Sequence, residues 1–211
     1  MIVKPATIGS GFEVNQQLTG AQCSEFVAAG YIFCIRYIPR TAALVKGNLT
    51  SEEIADILGS GLALATVQHV SPDNWMPNAE LGKSYGEYAA EYAEQIGYPK
   101  GATIFLDLEM VSPSATVQDI EDYCHLWFGH VGSCGYVPGL YVGWQTGLSS
   151  QQLYDLPYKN YWKGYNADIP VAVRGYQLLQ APQKSLNGII FDPNEVQKDE
   201  LGDLPMFVFS S

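Results

Sequence analysis

The sequence predicts one α/β domain that spans residues 1–211 and folds as a (β/α)8 barrel of the TIM type. Short apolar runs alternate with helix-like stretches, which is the pattern of βα units around a parallel sheet. Eight such runs can be counted. At roughly 25 residues per unit, the chain is near the lower end of the length range for a closed barrel. No interior linker, repeat or shift in composition marks a second domain.

The expected elements follow in order along the chain. The strand candidates are residues 8–14, 31–37, 62–70, 102–109, 139–142, 161–165, 176–180 and 189–192. The helical patterns are residues 19–29, 51–60, 81–96, 116–131 and 149–156. Thr50 can cap the second helix, and Gly30, Gly61 and Gly97 follow three helices at the usual C-terminal stop. Beyond residue 165 the helical signals weaken, which predicts shortened or missing helices in the last units.

The charge balance limits the partners. Acidic residues outnumber basic ones by 22 to 11, so the formal charge is −11. This negative field repels phosphates and anionic lipids, which argues against nucleic acid and bare membrane as partners. No segment is apolar for long enough to insert into a membrane, and segment 1–11 lacks a signal-peptide core. We expect a soluble chain that is released by lysis, a phage-type hole or a dedicated secretion device, or that is part of a longer protein.

Neither a cofactor nor a metal ion is predicted. An open doubly wound sheet is the alternative fold, but the glycine motif at residues 9–11 is incomplete and no G-K-[ST] loop occurs. Four cysteines include no C-x-x-C pair, and a Cys124–Cys134 bridge stays open. Three histidines are too few for a multi-histidine metal site. The serine-hydrolase motif G-x-S-x-G is absent, and Cys124 and His125 point apart on a predicted helix, which argues against both nucleophiles.

The fourth predicted strand carries the most informative residues. Side chains alternate along a strand, so Asp107 and Glu109 share one face, whereas Ile104, Leu106 and Leu108 face the helices. Their Cα atoms are then roughly 6.5 to 7 Å apart at the carboxyl end of the strand. Like charges this close separate the two pKa values, which leaves one acid protonated beside one that is ionised. Cleavage of a glycosidic bond needs this division of roles.

Two further acids are expected beside this pair. Glu13 lies on the inner face of the first strand, and Asp192 ends the last apolar run, with Asn194 just after it. Closure of the barrel makes these strands neighbours, so Glu13 and Asp192 should meet at the same mouth. The alternative is a structural ion-pair network with Arg36, for which we expect an orienting role.

Aromatic and amide side chains favour a sugar-binding cleft. Sugar rings stack on Trp and Tyr, while polar groups fix their hydroxyls. The candidates at the strand ends are Tyr141, Trp144, Trp162 and Gln177, with His69 after the third strand. Each of the aromatic residues alone is more often a packing residue, but their common position at the strand ends favours a binding cleft.

At these residues the chain resembles the glycoside-hydrolase-like domains of unknown function 1906. The resemblance covers nearly the whole chain and is carried by the following segments: Gly11-Phe12-Glu13, Gly30-Tyr31-x-Phe33-x-x-Arg36-Tyr37, Leu49-Thr50-x-Glu52-Glu53 with Ala55, Gly97-x-Pro99, and Gly135-Tyr136-x-Pro138-Gly139-x-Tyr141. Those domains are similar to the family-25 lysozymes. The segment Asp107-Leu108-Glu109 of this chain closely resembles the D-x-E strand of those lysozymes.

The resemblance implies a modified barrel that acts on the glycan of bacterial cell walls. Glu109 would protonate the leaving sugar oxygen. Asp107 would stabilise positive charge on the substrate, including charge on an acetamido group that acts as the nucleophile. Both families usually have Asp where this chain has Glu13. The extra methylene moves the carboxylate by about 1 Å, enough to alter a catalytic geometry.

The functional prediction is therefore a metal-independent peptidoglycan hydrolase of the lysozyme type, with Glu109, Asp107 and Glu13 as catalytic residues. The substrate-binding set is Asp192, Arg36, His69, Tyr141, Trp144, Trp162 and Gln177. A non-catalytic carbohydrate-binding barrel is the second interpretation, and a structural or partner-docking domain is the third.

Overall fold

A computed structural model describes residues 1–44, 46–69, 71–167 and 169–211. The strands are β1 Ile2–Pro5, β2 Gly9–Val14, β3 Phe33–Ile38, β4 Ala63–Gln68, β5 Thr103–Leu108, β6 Val137–Val142, β7 Asn160–Lys163, β8 Leu178–Gln180, β9 Lys184–Leu186, β10 Ile189–Val196 and β11 Met206–Phe209. The helices are α1 Gly20–Ala28, α2 Ser51–Gly59, α3 Ala79–Gln95, α4 Val117–Ser133 and α5 Ser150–Asp155, with a 3-10 turn at Ala42–Leu44. Val70, which ends the third predicted strand, lies outside the described residues.

Eight strands close into a barrel, as the sequence predicts. The order is β2-β3-β4-β5-β6-β7-β8-β10, and β10 pairs again with β2. Strands β2 to β8 run parallel to their neighbours in the barrel, while β10 is antiparallel to both β8 and β2. Helices pack around this sheet, so the fold is a TIM-type barrel with one reversed strand.

The reversed strand corrects the expectation of an eighth parallel strand. A parallel connection needs a crossover of about a dozen residues or more, whereas β9 and β10 are joined by a tight hairpin. Asn187 and Gly188 form its turn with positive φ angles of 49° and 84°. An Asn-Gly pair between two strands is the strongest short hairpin signal, and it fixes the direction of β10.

The helices begin where their caps allow. Thr19, Thr50, Asn78, Thr116 and Ser149 each accept a hydrogen bond from a backbone N–H in the first turn of the following helix. In the described part of the chain, α5 is the last helix and has 6 residues. The predicted loss of helices in the last units is therefore confirmed.

Alternation of side chains creates two apolar layers. Phe12, Ile104 and Leu106 are among the buried residues that pack between the barrel and its helices. Phe33, Phe105 and other inward-facing residues fill the barrel itself. Strand β11, which the sequence did not predict, pairs with β1 and with Leu64 of β4, and its Phe207 is buried against Phe33. The interior of the barrel is thus filled near its amino-terminal end and polar at the opposite mouth.

Candidate functional site

The mouth of the barrel receives carboxylates from three strands. Asp107 lies opposite Tyr141 of β6 in the strand register, and Glu109 follows directly after β5. Glu13 of β2 lies directly opposite Asp192 of β10. Because β10 is antiparallel, Asp192 reaches the mouth from the first half of its strand, and not from a carboxyl-terminal strand end as expected.

Gln180 and two tyrosines form a network around one of these acids, Glu13. Gln180 Nε2 donates to Glu13 Oε1 at 2.8 Å, and the Tyr37 hydroxyl donates to the same oxygen at 3.1 Å. The Tyr141 hydroxyl donates to Gln180 Oε1 at 3.1 Å. The Tyr165 backbone N–H donates to that oxygen at 2.7 Å. A continuous hydrogen-bonded network therefore runs from β3 across β2 and β8 to β6.

Burial keeps Glu13 and Asp107 protonated over a wider pH range than usual. The pKa of Glu13, which is 4% exposed, is raised well above its ordinary value by burial and then by the charge of Asp192. The pKa of Asp107, which is 6% exposed, is raised well above its ordinary value by burial, then by Glu109 and Glu13. Arg40 opposes the shift at Asp107.

One carboxyl oxygen of Asp107 is unpaired. Its Oδ1 atom is buried and has no hydrogen-bond partner among the described residues. Leaving a buried carboxyl oxygen unpaired costs free energy, and such groups are kept mainly where a ligand completes them. This oxygen therefore indicates where a substrate donor can bind.

Glu109 is held by the loops that follow β4 and β6. Its pKa is raised by burial and by the charge of Asp73, while a hydrogen bond from the Trp144 backbone N–H lowers it. Trp75 Nε1 donates to the Glu109 carbonyl oxygen at 2.9 Å. A Cβ atom at Gly143 would lie 2.3 Å from Glu109 Oε2, so only glycine leaves room for this carboxylate.

The loops around Glu109 contain residues with strained backbone and are joined by hydrogen bonds. Asn74, Met110 and Gln145 have positive φ angles of 58°, 53° and 59°. The Met110 carbonyl accepts from Asn74 N at 2.9 Å, and Met110 N donates to the Trp144 carbonyl at 2.8 Å. Strained non-glycine residues of this kind are found preferentially at functional sites, where the surrounding structure holds them.

Two of the expected binding residues point away from the mouth. Arg36 faces the helix layer, where its Nε donates to Glu53 Oε1 at 2.6 Å and the pair is almost completely buried. Gln177 precedes β8 at the amino-terminal side, and its Nε2 donates to Asp199 Oδ2 at 2.6 Å. The structure therefore gives both residues a packing role. Gln180, at the other end of the strand, takes the position expected for Gln177.

Trp162 supports the mouth from inside the barrel. It is 1% exposed, and its Nε1 donates to Asn194 Oδ1 at 2.7 Å. Its ring packs at a steep angle against Tyr141, with centroids 4.7 Å apart. Trp162 is therefore closed to a sugar ring and instead orients Tyr141, which is 8% exposed.

Other aromatic residues are open at the mouth. Trp144 and Tyr165 are each 56% exposed, and their backbone N–H groups bind Glu109 and Gln180. His69 stacks on Tyr37 with centroids 4.5 Å apart. Burial and then Arg40 lower the pKa of His69 to about 4, so the ring is neutral near pH 7. The exposed rings of Trp144 and Tyr165 are the surfaces available for stacking on sugar.

Sequence reasoning missed Tyr37, Gln180 and Arg40. The first two have the inward parity of Ile35 and Leu178, so the alternation along β3 and β8 could have identified them. Within the residues that the structure describes, no group of three or more His, Cys, Asp or Glu is arranged to hold a metal ion. Cys124 and Cys134 are free thiols. No described helix is long and apolar enough to cross a membrane.

Comparison with solved structures finds the same fold in several bacterial proteins. The Mycobacterium tuberculosis Tat-secreted protein Rv2525c, solved with L-tartrate, superposes with a TM-score of 0.69 at 18% identity and covers 93% of this chain and 99% of its own. The Clostridium perfringens spore cortex lytic enzyme SleM superposes with a TM-score of 0.62 at 14% identity, covering 94% of this chain and 70% of its own.

The modular autolysin LytC of Streptococcus pneumoniae superposes with a TM-score of 0.64 at 12% identity over 88% of this chain and 46% of its own. No curated protein is similar enough in sequence to count as a match. The family model of the Rv2525c-like, glycoside hydrolase-like domain matches residues 24–185, which is more than half of the chain. The chain therefore belongs to the Rv2525c-like family of glycoside hydrolase-like domains, as its sequence pattern implied.

Proposed function

We propose that this protein is a glycoside hydrolase that cleaves bacterial peptidoglycan by carboxylate acid catalysis and uses no metal ion. The observation that carries the proposal is the Asp107–Glu109 pair, whose pKa values are both raised, beside a buried Asp107 oxygen that has no partner among the described residues. SleM is a spore cortex lytic enzyme, and LytC has been solved with a synthetic peptidoglycan ligand. These neighbours support the cell wall as the site of action.

Glu109 is the proposed general acid. Burial raises its pKa, which keeps a transferable proton on the carboxyl closer to neutral pH. When the proton leaves, the Trp144 N–H stabilises the carboxylate that forms. The hydrogen-bonded loops and the space at Gly143 hold the side chain in position, so little reorganisation accompanies the transfer.

Asp107 is proposed to stabilise the positive charge that develops on the substrate. Its neutral form is favoured in the empty site because Glu109 and Glu13 are close and water is excluded. A cationic transition state beside it favours the ionised form instead. The residue therefore interacts more strongly with the transition state than with the ground state, as catalysis requires.

Glu13 is proposed to orient the substrate and its neighbours. Two donors, Tyr37 and Gln180, bind Oε1 of this side chain, so the longer carboxylate is held against the wall of the barrel. We propose that Trp144 and Tyr165 stack on the sugar rings to either side of the acid pair, with His69 and Asp192 at the rim of the mouth.

Product analysis tests this proposal. The purified chain is incubated with intact peptidoglycan, chitin oligomers and plain glucans, and the products are identified by mass spectrometry. New reducing ends at a sugar bond of peptidoglycan are the expected result. Release of peptides alone, or no product from any of the three polymers, would contradict the hydrolase function.

A non-catalytic carbohydrate-binding barrel is the second candidate. It is favoured by the small exposed fractions of Glu13 and Asp107 together with the open rings of Trp144 and Tyr165. This function predicts retention of the chain on insoluble peptidoglycan with no turnover. Trp144→Ala should then weaken retention, whereas Glu91→Gln, at an exposed position of α3, should leave it unchanged.

Action on the wall requires passage out of the cytoplasm. The described residues contain no helix able to span a membrane, and Rv2525c is described as Tat-secreted. We propose that this chain is also exported. Immunoblotting of wall and cytoplasmic fractions checks this, and confinement to the cytoplasm of intact cells would contradict it.

A further inference from the structure

Among the residues that the structure describes, one of the three arginines of the chain has no carboxylate partner. Arg36 pairs with Glu53 at 2.6 Å, and Arg174 pairs with Asp199 at 2.6 Å. Arg40 forms no ion pair with any carboxylate of the described residues. Its Nε atom is buried and has no hydrogen-bond partner there. An unpaired guanidinium donor in a partly buried position costs free energy unless a ligand completes it.

The Arg40 side chain is held at the mouth of the barrel. It follows β3, and its Nη1 donates to the Ser71 hydroxyl, after β4, at 2.8 Å. Its guanidinium lies over the Tyr85 ring, 5.8 Å from the centroid. Gln68 Nε2 donates to the Pro39 carbonyl at 3.2 Å, which fixes the backbone just before Arg40. These contacts place the cation at the edge formed by β3 and β4, and β5 with its acid pair is the next strand.

Arg40 is close enough to Asp107 for its charge to act on that side chain. Its positive charge favours the ionised form of Asp107 and the neutral form of His69. No hydrogen bond or ion pair joins Arg40 to Asp107, and each keeps a buried polar atom, Nε and Oδ1, without a partner among the described residues. A substrate group bound by the unpaired guanidinium donor would lie at the same mouth as the unpaired Asp107 oxygen.

We infer that Arg40 binds a carboxylate of the substrate beside Asp107 and Glu109, so that the glycan recognised by this site is an acidic one. The inference rests on the proposed function and names its substrate class. A guanidinium is charged at all accessible pH values, and its planar N–H groups match a carboxylate geometrically. The net charge of −11 repels a polyanion at long range, so recognition depends on this short-range contact.

In peptidoglycan, a carboxylate can come from two sources. One is the lactyl group of the sugar when no peptide is attached, and the other is the stem peptide. The probes are therefore a peptide-free glycan tetrasaccharide, the same tetrasaccharide with its stem peptides, and both of these with carboxyls blocked as methyl amides. Dissociation constants are measured by calorimetry in the Glu109→Gln background, which prevents turnover.

With Arg40 present, we expect one of the free-carboxylate ligands to bind about tenfold more tightly than its blocked form, since the contact is a charge-assisted hydrogen bond. Arg40→Gln should abolish that difference, and Arg40→Lys should restore only part of it. Lys100→Gln makes the same change in net charge at the opposite end of the barrel and should preserve the difference. The ligand that binds more tightly in its free form than in its blocked form identifies the source of the carboxylate.

Three outcomes would overturn the inference. The free and blocked ligands could bind equally to the parent, Arg40→Gln could weaken both equally, or neither ligand could bind. The second outcome would mean that Arg40 acts only on Asp107. Because binding is measured without turnover, the inference is tested even if product analysis shows that the chain is not a hydrolase.

Discussion

Asp107 and Glu109 belong to one strand end, but their surroundings assign them different tasks. Glu109 is half-buried and receives a backbone hydrogen bond from Trp144, so its carboxylate is tolerated after a proton has left. Asp107 is deeper, and its Oδ1 has no partner among the described residues. The environment of Glu109 suits a group that donates a proton and later recovers it. The environment of Asp107 suits a group that stabilises a positive charge.

Replacing Glu109 tests the acid role directly. Glu109→Gln keeps the shape but removes the transferable proton, so turnover of peptidoglycan should fall by about a hundredfold or more, while glycan binding changes little. Steady-state rates and retention on insoluble peptidoglycan provide the two measurements. Glu91→Gln serves as the matched control at an exposed site. Undiminished hydrolysis in Glu109→Gln would remove this residue from the mechanism.

Replacing Glu13 should separate stability from function. Glu13→Gln removes the repulsion between Glu13 and Asp192 and retains an oxygen for Tyr37 and Gln180. The free energy of unfolding at pH 7 should therefore rise by about 1 kcal/mol, while turnover falls. Urea denaturation and steady-state kinetics measure the two effects. If Glu13→Gln is less stable than the parent at pH 7, the Glu13 carboxyl does not lower the free energy of unfolding.

At the scale of the elements, alternation along β5 was sufficient to predict the acid pair. Ile104, Leu106 and Leu108 pack against the helix layer, which leaves Asp107 facing the interior. Arg36 was predicted to belong to the binding set with an orienting role, but its helix-facing position on β3 takes it away from the mouth. Glu53, buried in the first turn of α2, neutralises it there, and nothing in the local pattern distinguishes Glu53 from the neighbouring exposed Glu52.

Errors in strand boundaries account for the remaining difference at the site. The seventh strand was predicted to begin at residue 176, but β8 covers only Leu178–Gln180. Gln177 therefore lies below the strand and Gln180 lies at its mouth. The direction of β10 was also missed because the hairpin turn at Asn187-Gly188 was not considered. Pairings between distant segments, such as β1 with β11, leave no comparable local signal.

The α3–α4 contact supports one prediction about packing. Gly82 of α3 lies so close to α4 that an added Cβ would be 2.3 Å from the Tyr123 carbonyl oxygen. Gly82→Ala should therefore lower the free energy of unfolding by about 1 to 3 kcal/mol, despite the better helix propensity of alanine. Gly129→Ala in α4 has open space and should raise it by up to about 1 kcal/mol. Denaturant unfolding of both variants checks this, and stabilisation by Gly82→Ala would contradict the close approach.

At the scale of the whole molecule, the barrel concentrates its costly groups at one end. The amino-terminal end is filled by apolar side chains such as Phe33 and Phe207, whereas the mouth holds Glu13, Asp107 and Asp192. The apolar layers inside and outside the barrel stabilise the fold. The buried carboxyls at the mouth lower that stability, because they are removed from water and lie close together. The stability of the molecule should therefore report on the protonation of its site.

The pH dependence of stability follows from the direction of these pKa shifts. The folded-state pKa values of Glu13, Asp107, Glu109 and Asp192 are raised, so the folded chain retains protons that the unfolded chain has released above about pH 4. Stability from this source is fully present at low pH and is lost as pH rises through the folded pKa values. His69 acts in the opposite sense, because its pKa is lowered to about 4 and the unfolded residue titrates near pH 6.5.

Between pH 6.5 and pH 8 the unfolded His69 still loses its remaining proton, but this contribution is the same in the parent and in Glu13→Gln. We therefore expect the free energy of unfolding of the parent to fall more, or rise less, between pH 6.5 and pH 8 than that of Glu13→Gln, which has one fewer group to lose its proton. Urea unfolding at fixed ionic strength across this interval gives both slopes. Repulsion among surface acids lowers the stability of both proteins equally, so the difference between the slopes is the decisive quantity. Equal slopes would mean that Glu13 is already ionised at pH 6.5 and that the mouth does not hold protons at neutral pH.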